Sequence, residues 1–266
     1  MKFESRMPIK HVVRRSEALQ DAQAFGTGYL DRDYNSDPLG HIIPKFTGRV
    51  FDRKDWPELM DMQDKNQTSP LDWHLDCVEI YDQVSLPYCW MYGTVAGVAT
   101  QYAKTGIKTP RFSPTSTAAL VKNYREEGGW ATEACDGIQK HGIATLDVWP
   151  NVSMNKTLPS LSYVRENMHQ HDIVEFSDLG VNNFDAAMSV LLDPLHAAPV
   201  TGGFTWWGHL IILLKAVRYE GEWGVIFANS WGKDWGEMGY GVLLGDRAVP
   251  YEAVRIGSVK PRSSKK

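Results

Sequence analysis

One cysteine, one distant histidine and one asparagine are strung along this chain in an order that only a fold joining its two halves can use. Cys89 stands shortly after Gln83 and directly before Trp90; His209 lies far downstream, ahead of a long apolar run; Asn229 opens the run Asn229-Ser230-Trp231-Gly232. A thiol can act as a nucleophile, an imidazole can move its proton, one amide can orient that imidazole, and a second amide can stabilise an oxyanion. Alone, each residue has a plainer reading: a core thiol, a satisfied core histidine, a turn asparagine, a surface glutamine. Taken together, they demand that residues about 120 positions apart meet at a seam.

The local patterns allow this. Residues 88 to 104 predict a helix: Val95, Val98, Ala99 and Tyr102 recur at helical spacing, and Gly93, Ala96, Gly97 and Ala103 permit close packing. Gly106 then stops it. Cys89 falls in the first turn, where the helix dipole favours a thiolate. Further helices are expected at 116–124, 132–142 and 184–192, the last capped by Asn183 and stopped by Pro194. The last third changes character. Apolar runs at 209–219, 223–228 and 240–244, separated by short polar turns, predict antiparallel strands. The midpoint between His209 and Asn229 falls at Tyr219, beside the turn, so the two side chains are expected on paired strands. A helical half followed by an antiparallel half is an α+β layout.

The first 67 residues read as a separate extension. Ser16 caps a short helix ending near Phe25-Gly26; residues 26 to 44 read as an extended arm over a surface; Asp55, Pro57 and Glu58 start a helix to about Asn66, with Trp56, Leu59 and Met60 on its apolar face. The expected organisation is an arm at 1–67, a main domain at 68–254 divided near 180 into a helical and a β lobe, and a basic tail at 255–266.

Composition narrows the function. A net charge of −4 gives no field for nucleic acid or membrane, and no basic–aromatic strip or phosphate loop is found. Ten Trp and eleven Tyr suit a cleft lined with aromatic surface, with Trp206-Trp207 as a candidate wall. The three cysteines are too few for a disulfide framework; Cys77 and Cys135 are expected as buried small hydrophobes. His74 with Cys77, and His169 with His171, have metal-compatible spacing, but no full ligand set follows, so no metal or cofactor is expected. The low cysteine count and a charged start without an apolar segment point to a reducing, cytoplasmic location and not to secretion through a signal peptide.

The chain resembles the papain-like cysteine peptidases over about residues 70–244. Pro70-Leu71-Asp72-Trp73 looks like the start of the mature domain, and Tyr81-Asp82-Gln83 with Cys89-Trp90 like the oxyanion and nucleophile block. Gly128-Gly129-Trp130 resembles the glycine pair that binds extended substrate, followed by an aromatic pocket wall. Gly208-His209, then Asn229-Ser230-Trp231-Gly232, Trp235-Gly236 and Gly239-Tyr240, complete the match. The resemblance implies a two-lobed fold with an active-site cleft between a helical and a β lobe. It implies Cys89, His209, Asn229 and Gln83 as catalytic residues. Gly128, Gly129, Trp130, Gly208 and Tyr88 would face substrate, and Trp90, Trp231 and Trp235 would shield the site. Leu86 and Glu126 stand where the family has a disulfide, a style resembling bacterial and phage members. Pro87 and Tyr88 put bulk beside the nucleophile, where the family has smaller residues. Three readings follow. One is a peptidase acting on a peptide or protein substrate. The second is a structural or binding subunit of an assembly such as a virion, contacting other subunits through the arm. The third is an arm that lies in the cleft as an inhibitor, although residues 1–67 lack the expected helical propeptide pattern.

Overall fold

The computed structural model describes residues 10–35, 43–106 and 108–261; the first nine residues, part of the expected arm and the end of the basic tail lie outside them. Eight α-helices are found among the described residues: α1 (Arg15–Phe25), α2 (Trp56–Asn66), α3 (Pro70–Cys77), α4 (Cys89–Lys104), α5 (Pro114–Val121), α6 (Ala131–His141), α7 (Ser162–Met168) and α8 (Phe184–Leu192). The strands are β1 (His171–Val181), β2 (Val200–Phe204), β3 (His209–Tyr219), β4 (Glu222–Ala228), β5 (Tyr240–Leu244) and β6 (Glu252–Pro261). They form one antiparallel sheet in the order β1-β6-β2-β3-β4-β5. The α+β layout expected from the sequence is the observed one.

Helix α4 is the axis of the molecule. Fifteen of its sixteen residues are buried, and its glycine stripe lets the backbone approach the sheet. A Cβ on Gly93 would lie 2.7 Å from Leu210 Cδ2, and one on Gly97 would lie 3.0 Å from both Ile212 and Ile256. That contact brings the N-terminus of α4, and with it Cys89, to the start of β3, where His209 stands. Helix α3 begins with a reciprocal Ser69–Asp72 capping box and Pro70 in its first turn.

The N-terminal segment is not a loose appendage. Val13, Ala18, Phe51 and Trp56 join the core formed by α8 and the sheet, while Tyr29 and Ile43 join the core around α4. Segment 44–46 pairs with β1 through Phe46 N–H to Asp178 O (2.8 Å) and Asp178 N–H to Pro44 O (2.9 Å). At the other end the structure corrects the expected boundary. Residues 255–261 belong to β6, which pairs with β1 and β2, so the chain there is sheet and not a solvated tail. Cys135 is buried as expected, but Cys77, the last residue of α3, is exposed. The apolar positions of so short a helix are filled by Leu71 and His74, which leaves its final residue facing solvent.

Candidate active site

The imidazole of His209 is fully buried, and its Nε2 lies 2.8 Å from Asn229 Oδ1. Asn229 Oδ1 also accepts the backbone N–H of Ser230 at 2.8 Å, so this atom is the oxygen and Nε2 carries the proton. The ring's Nδ1 is then an unprotonated acceptor; it is buried and has no hydrogen-bond partner among the described residues. Trp231 stacks on the imidazole with centroids 4.4 Å apart and planes 20° from parallel, and Trp235 packs edge-on behind Trp231 at 5.6 Å. These two rings keep water from the His209–Asn229 bond. Trp207 closes another side of the imidazole at 4.9 Å.

The Cys89 sulfur faces backbone N–H groups of Leu210, Trp90 and Tyr29. It is therefore a neighbour of His209 through the next residue of β3, though no hydrogen bond joins it to Nδ1. Burial pushes the thiol up to about 12, with those N–H groups opposing the rise. Burial also lowers His209 to about 4, against the Asn229 bond. Thiol and imidazole are both neutral in this closed state.

Gln83 is tied to the same region from the helical side. Its backbone N–H donates to Ser230 O at 2.8 Å, its side-chain oxygen accepts from Ser230 Oγ, and Gly232 N–H donates to Tyr81 O at 2.9 Å. The Nε2 group donates to Leu86 O at 2.8 Å and reaches Thr27 O at 3.5 Å. Residues 26–30 thus run through the cleft. Gly28 and Tyr29 donate to Gly208 O at 3.3 and 3.0 Å; Gly129 N–H donates to Gly28 O at 2.9 Å, and Leu30 N–H to Gly129 O at 3.0 Å. A Cβ on Gly128 would meet Gly28 O at 2.5 Å. Gly128, Gly129 and Gly208 are all in contact with extended backbone in the cleft. Only the occupant, the chain's own N-terminal segment, was not foreseen in detail.

Tyr88 is the misplaced candidate. Its ring is fully buried, and its hydroxyl donates to Arg125 O at 2.8 Å, so it points into the helical lobe and offers no face to substrate. The bulk expected beside the nucleophile is accommodated there. Trp90 lies under Gly129, where a Cβ would come within 2.7 Å of its ring, so it supports the glycine pair and does not cover the His209–Asn229 bond. Trp130 is half-buried and precedes α6; the Lys122 ammonium lies 5.6 Å from its ring centre and 5.0 Å from that of Trp90. Lys122 is paired with Glu133 at 2.6 Å.

Sequence reasoning missed Glu252. This carboxylate is fully buried on β6 and caps α6 by accepting Ala131 N–H at 3.0 Å and Thr132 N–H at 3.1 Å. The available signal was a single acidic residue in the apolar run Tyr251-Glu252-Ala253-Val254.

This is the papain-like fold, two lobes with a thiol and an imidazole facing one cleft. Solved structures with the same architecture include procathepsin L2 from the larval midgut of Tenebrio molitor, with a TM-score of 0.63 and 13% identity over 95% of this chain and 84% of that one. The ragweed cysteine protease Amb a 11 in its proform matches with a TM-score of 0.61 and 17% identity over 98% of this chain and 84% of that one. In sequence, the chain is similar to falcipain-2a of Plasmodium falciparum, at 24% identity over 72% of this chain and 45% of the falcipain. It is also similar to mouse cathepsin K, at 22% over 80% of this chain and 64% of the cathepsin. No protein-family profile matches it. The chain spans less than half the length of the falcipains it matches. In fold and in sequence the chain is similar to papain-like cysteine peptidases.

Two expectations are corrected by these similarities. The relatives found are eukaryotic, and they include digestive and other proenzymes. This overturns the expected cytoplasmic or virion-associated location, and it gives the bacterial or phage style no support. A low cysteine count alone does not fix a compartment. The matches to proforms also extend over nearly the whole chain, and the two helices expected in the N-terminal segment are found as α1 and α2.

Proposed function

We propose that this chain is a papain-type cysteine peptidase that hydrolyses peptide or amide bonds through an acyl-enzyme on Cys89, with residues 1–67 closing the cleft until they are displaced. Residues 68–254 would form the catalytic domain. The observation that carries the reading is the assigned tautomer of His209: Nε2–H held by Asn229, and a bare, buried Nδ1 on the residue next to Leu210, whose N–H faces the thiol.

In the open cleft, Nδ1 takes the Cys89 proton and the thiolate adds to the carbonyl carbon of the substrate. Gln83 Nε2 and the Cys89 backbone N–H donate to the oxyanion. The imidazolium then returns its proton to the leaving amine, and water, deprotonated by the same ring, hydrolyses the thioester. Gly129 and Gly208 would pair with the substrate backbone, as they now pair with residues 28–30.

The closed state also supports a brake. Thr27 O occupies the Gln83 donor, and the atom the sulfur meets from Tyr29 is an N–H and not a carbonyl carbon. The segment therefore fills the cleft without presenting a bond to be cut. The backbone groups of residues 28–30 are engaged with this chain's own cleft, which favours an inhibitory segment over a contact for other subunits.

Iodoacetamide tests the reading. Alkylation should be slow in the closed chain, faster once the segment is displaced, and located at Cys89 by peptide mass. Peptide hydrolysis should vanish in Cys89→Ala. Failure of Cys89 to label in any folded state of the protein would end the proposal.

A further inference from the structure

The peptide between Gly129 and Trp130 is held from both sides. Its oxygen faces the cleft and accepts the Leu30 N–H at 3.0 Å, while the Gly129 N–H donates to Gly28 O at 2.9 Å. The peptide is trans, so its N–H points opposite to its C=O. The Trp130 N–H therefore turns away from the cleft into the helical lobe, where it meets the Glu133 carboxylate. That carboxylate lies so close under the strand that a Cβ on Gly129 would stand 2.5 Å from its Oε2. Lys122, the residue directly after α5, donates to both of its oxygens, at 2.6 and 2.8 Å. The ammonium sits between two indoles, 5.0 Å from the ring centre of Trp90 and 5.6 Å from that of Trp130. Helix capping does not account for this arrangement. Glu252 already accepts the Ala131 and Thr132 N–H groups at the start of α6. Glu133 is aimed instead at the one N–H that shares a peptide with Gly129 O. Nor does such a pair add much stability, because the cost of taking two charges out of water offsets most of their attraction.

We infer that Lys122 and Glu133 are positioning residues, which fix the plane of the Gly129–Trp130 peptide so that Gly129 O faces the extended chain lying in the cleft. Charge contributes as well as geometry. A carboxylate that accepts the N–H polarises the peptide and makes its oxygen a stronger acceptor on the cleft side. Lys122 keeps the carboxylate from swinging away, and the two indoles hold the ammonium in turn. Residues 28–30 of the chain itself are the present occupant; that a substrate takes their place rests on the peptidase reading. Loss of the pair should loosen the backbone pairing along Gly129 without loosening the rest of the fold to the same degree.

Amide hydrogen exchange in the full chain, read residue by residue by NMR, tests this without any turnover. Lys122→Met combined with Glu133→Leu removes both charges together and leaves neither unpaired. The Leu30 and Gly129 amides should then exchange at least about tenfold faster than in the native chain. The Val13 and Phe46 amides, which bond Val242 O and Asp178 O at other points of the N-terminal segment, should keep their rates. Unchanged exchange at Leu30 and Gly129 overturns the inference, and so does an equal rise at all four amides, which reports a general loss of stability. Where that double variant fails to fold, Lys122→Met with Glu133→Gln leaves a neutral acceptor for the Trp130 N–H and should show the same selective rise, of about threefold or more. Hydrolysis is scored separately. The double variant should show a KM at least about fivefold higher with a much smaller change in kcat, because the strand holds ground state and transition state alike. An unchanged KM would overturn the role of the pair toward substrate. A native chain that cleaves no peptide would end the peptidase reading, and the exchange rates would still decide the role of the pair toward the N-terminal segment.

Discussion

At the scale of single residues, the site rests on which nitrogen of His209 carries the proton, and Asn229 decides it. Asn229→Ala would leave the Nε2–H buried without an acceptor, at a cost of about 1–3 kcal/mol. The expected result is a lower urea midpoint together with a fall in kcat larger than any change in KM. Gly28 governs access. Its φ is +141°, and a Cβ there would lie 2.1 Å from Pro87 O in the nucleophile loop. Gly28→Ala should strain the closed state by about 1–3 kcal/mol and raise the rate of Cys89 alkylation roughly 5- to 100-fold. An unchanged rate would mean that the segment does not limit access. Cys89, His209, Asn229 and Gln83 were legible because their chemistry needs those residue types and the aromatic and glycine neighbours that mark them. Tyr88 was misread because sequence gives position but not side-chain direction; the direction was set by Arg125 O, a partner 37 residues away.

At the scale of elements, three indoles hold the N-terminal segment. Trp207 Nε1 donates to Ala18 O at 2.9 Å, Trp231 Nε1 to Gly26 O at 3.0 Å, and Trp235 Nε1 to Asp21 Oδ2 at 2.8 Å. Phe25, the last residue of α1, stacks on Trp231 at 5.5 Å. The tryptophans that shield the His209–Asn229 bond are therefore also the clasp for α1. Trp231→Phe keeps a ring over the imidazole and removes one hydrogen bond, worth about 1 kcal/mol. Alkylation of Cys89 should speed up about fivefold with little change in the pH dependence of any hydrolysis. Trp231→Ala should additionally lower kcat by wetting the His209–Asn229 pair. Helices α4 and α8 and strands β3 to β5 could be read from sequence because their apolar patterns are local and strong. Strands β1, β2 and β6 could not. Segment β2 is Val200-Thr201-Gly202-Gly203-Phe204, in which two glycines hide the strand, and β1 pairs with β6, a partner about 80 residues later along the chain. Their strand character comes from tertiary pairing, which no short window contains.

For the whole molecule, the buried titratable groups set opposing responses to acid. His209 is lowered to about 4 and His74, buried against the Tyr240 hydroxyl, to about 3, in both cases chiefly by burial. A depressed histidine binds fewer protons folded than unfolded, so its contribution is complete above the unfolded value of 6.5 and is lost as pH falls toward the folded one. Glu252 runs the other way. Burial raises it from 4.5 to about 7, so the folded state gains relative stability as pH falls through that window. His141 is shifted in the histidine direction and Glu133 in the Glu252 direction, each mainly by burial. Between the unfolded values, the two buried histidines outweigh Glu252 by roughly 2 kcal/mol at pH 4.5. The urea midpoint should therefore fall on acidification from pH 7 to 4.5, and less steeply in His74→Gln than in the native chain. Release of the N-terminal segment requires less than unfolding. It wets His209 and takes Arg32 away from Glu252 but leaves His74 in its core, so His209, and not His74, couples the closure to pH. Alkylation at Cys89 should consequently become less well protected as pH falls below 6.5, after correction for the reagent's own dependence on thiolate, and His74→Gln should leave that profile in place. A protection that is flat across this range, or one abolished by His74→Gln, would show that acid acts on the whole fold and not on the covered cleft.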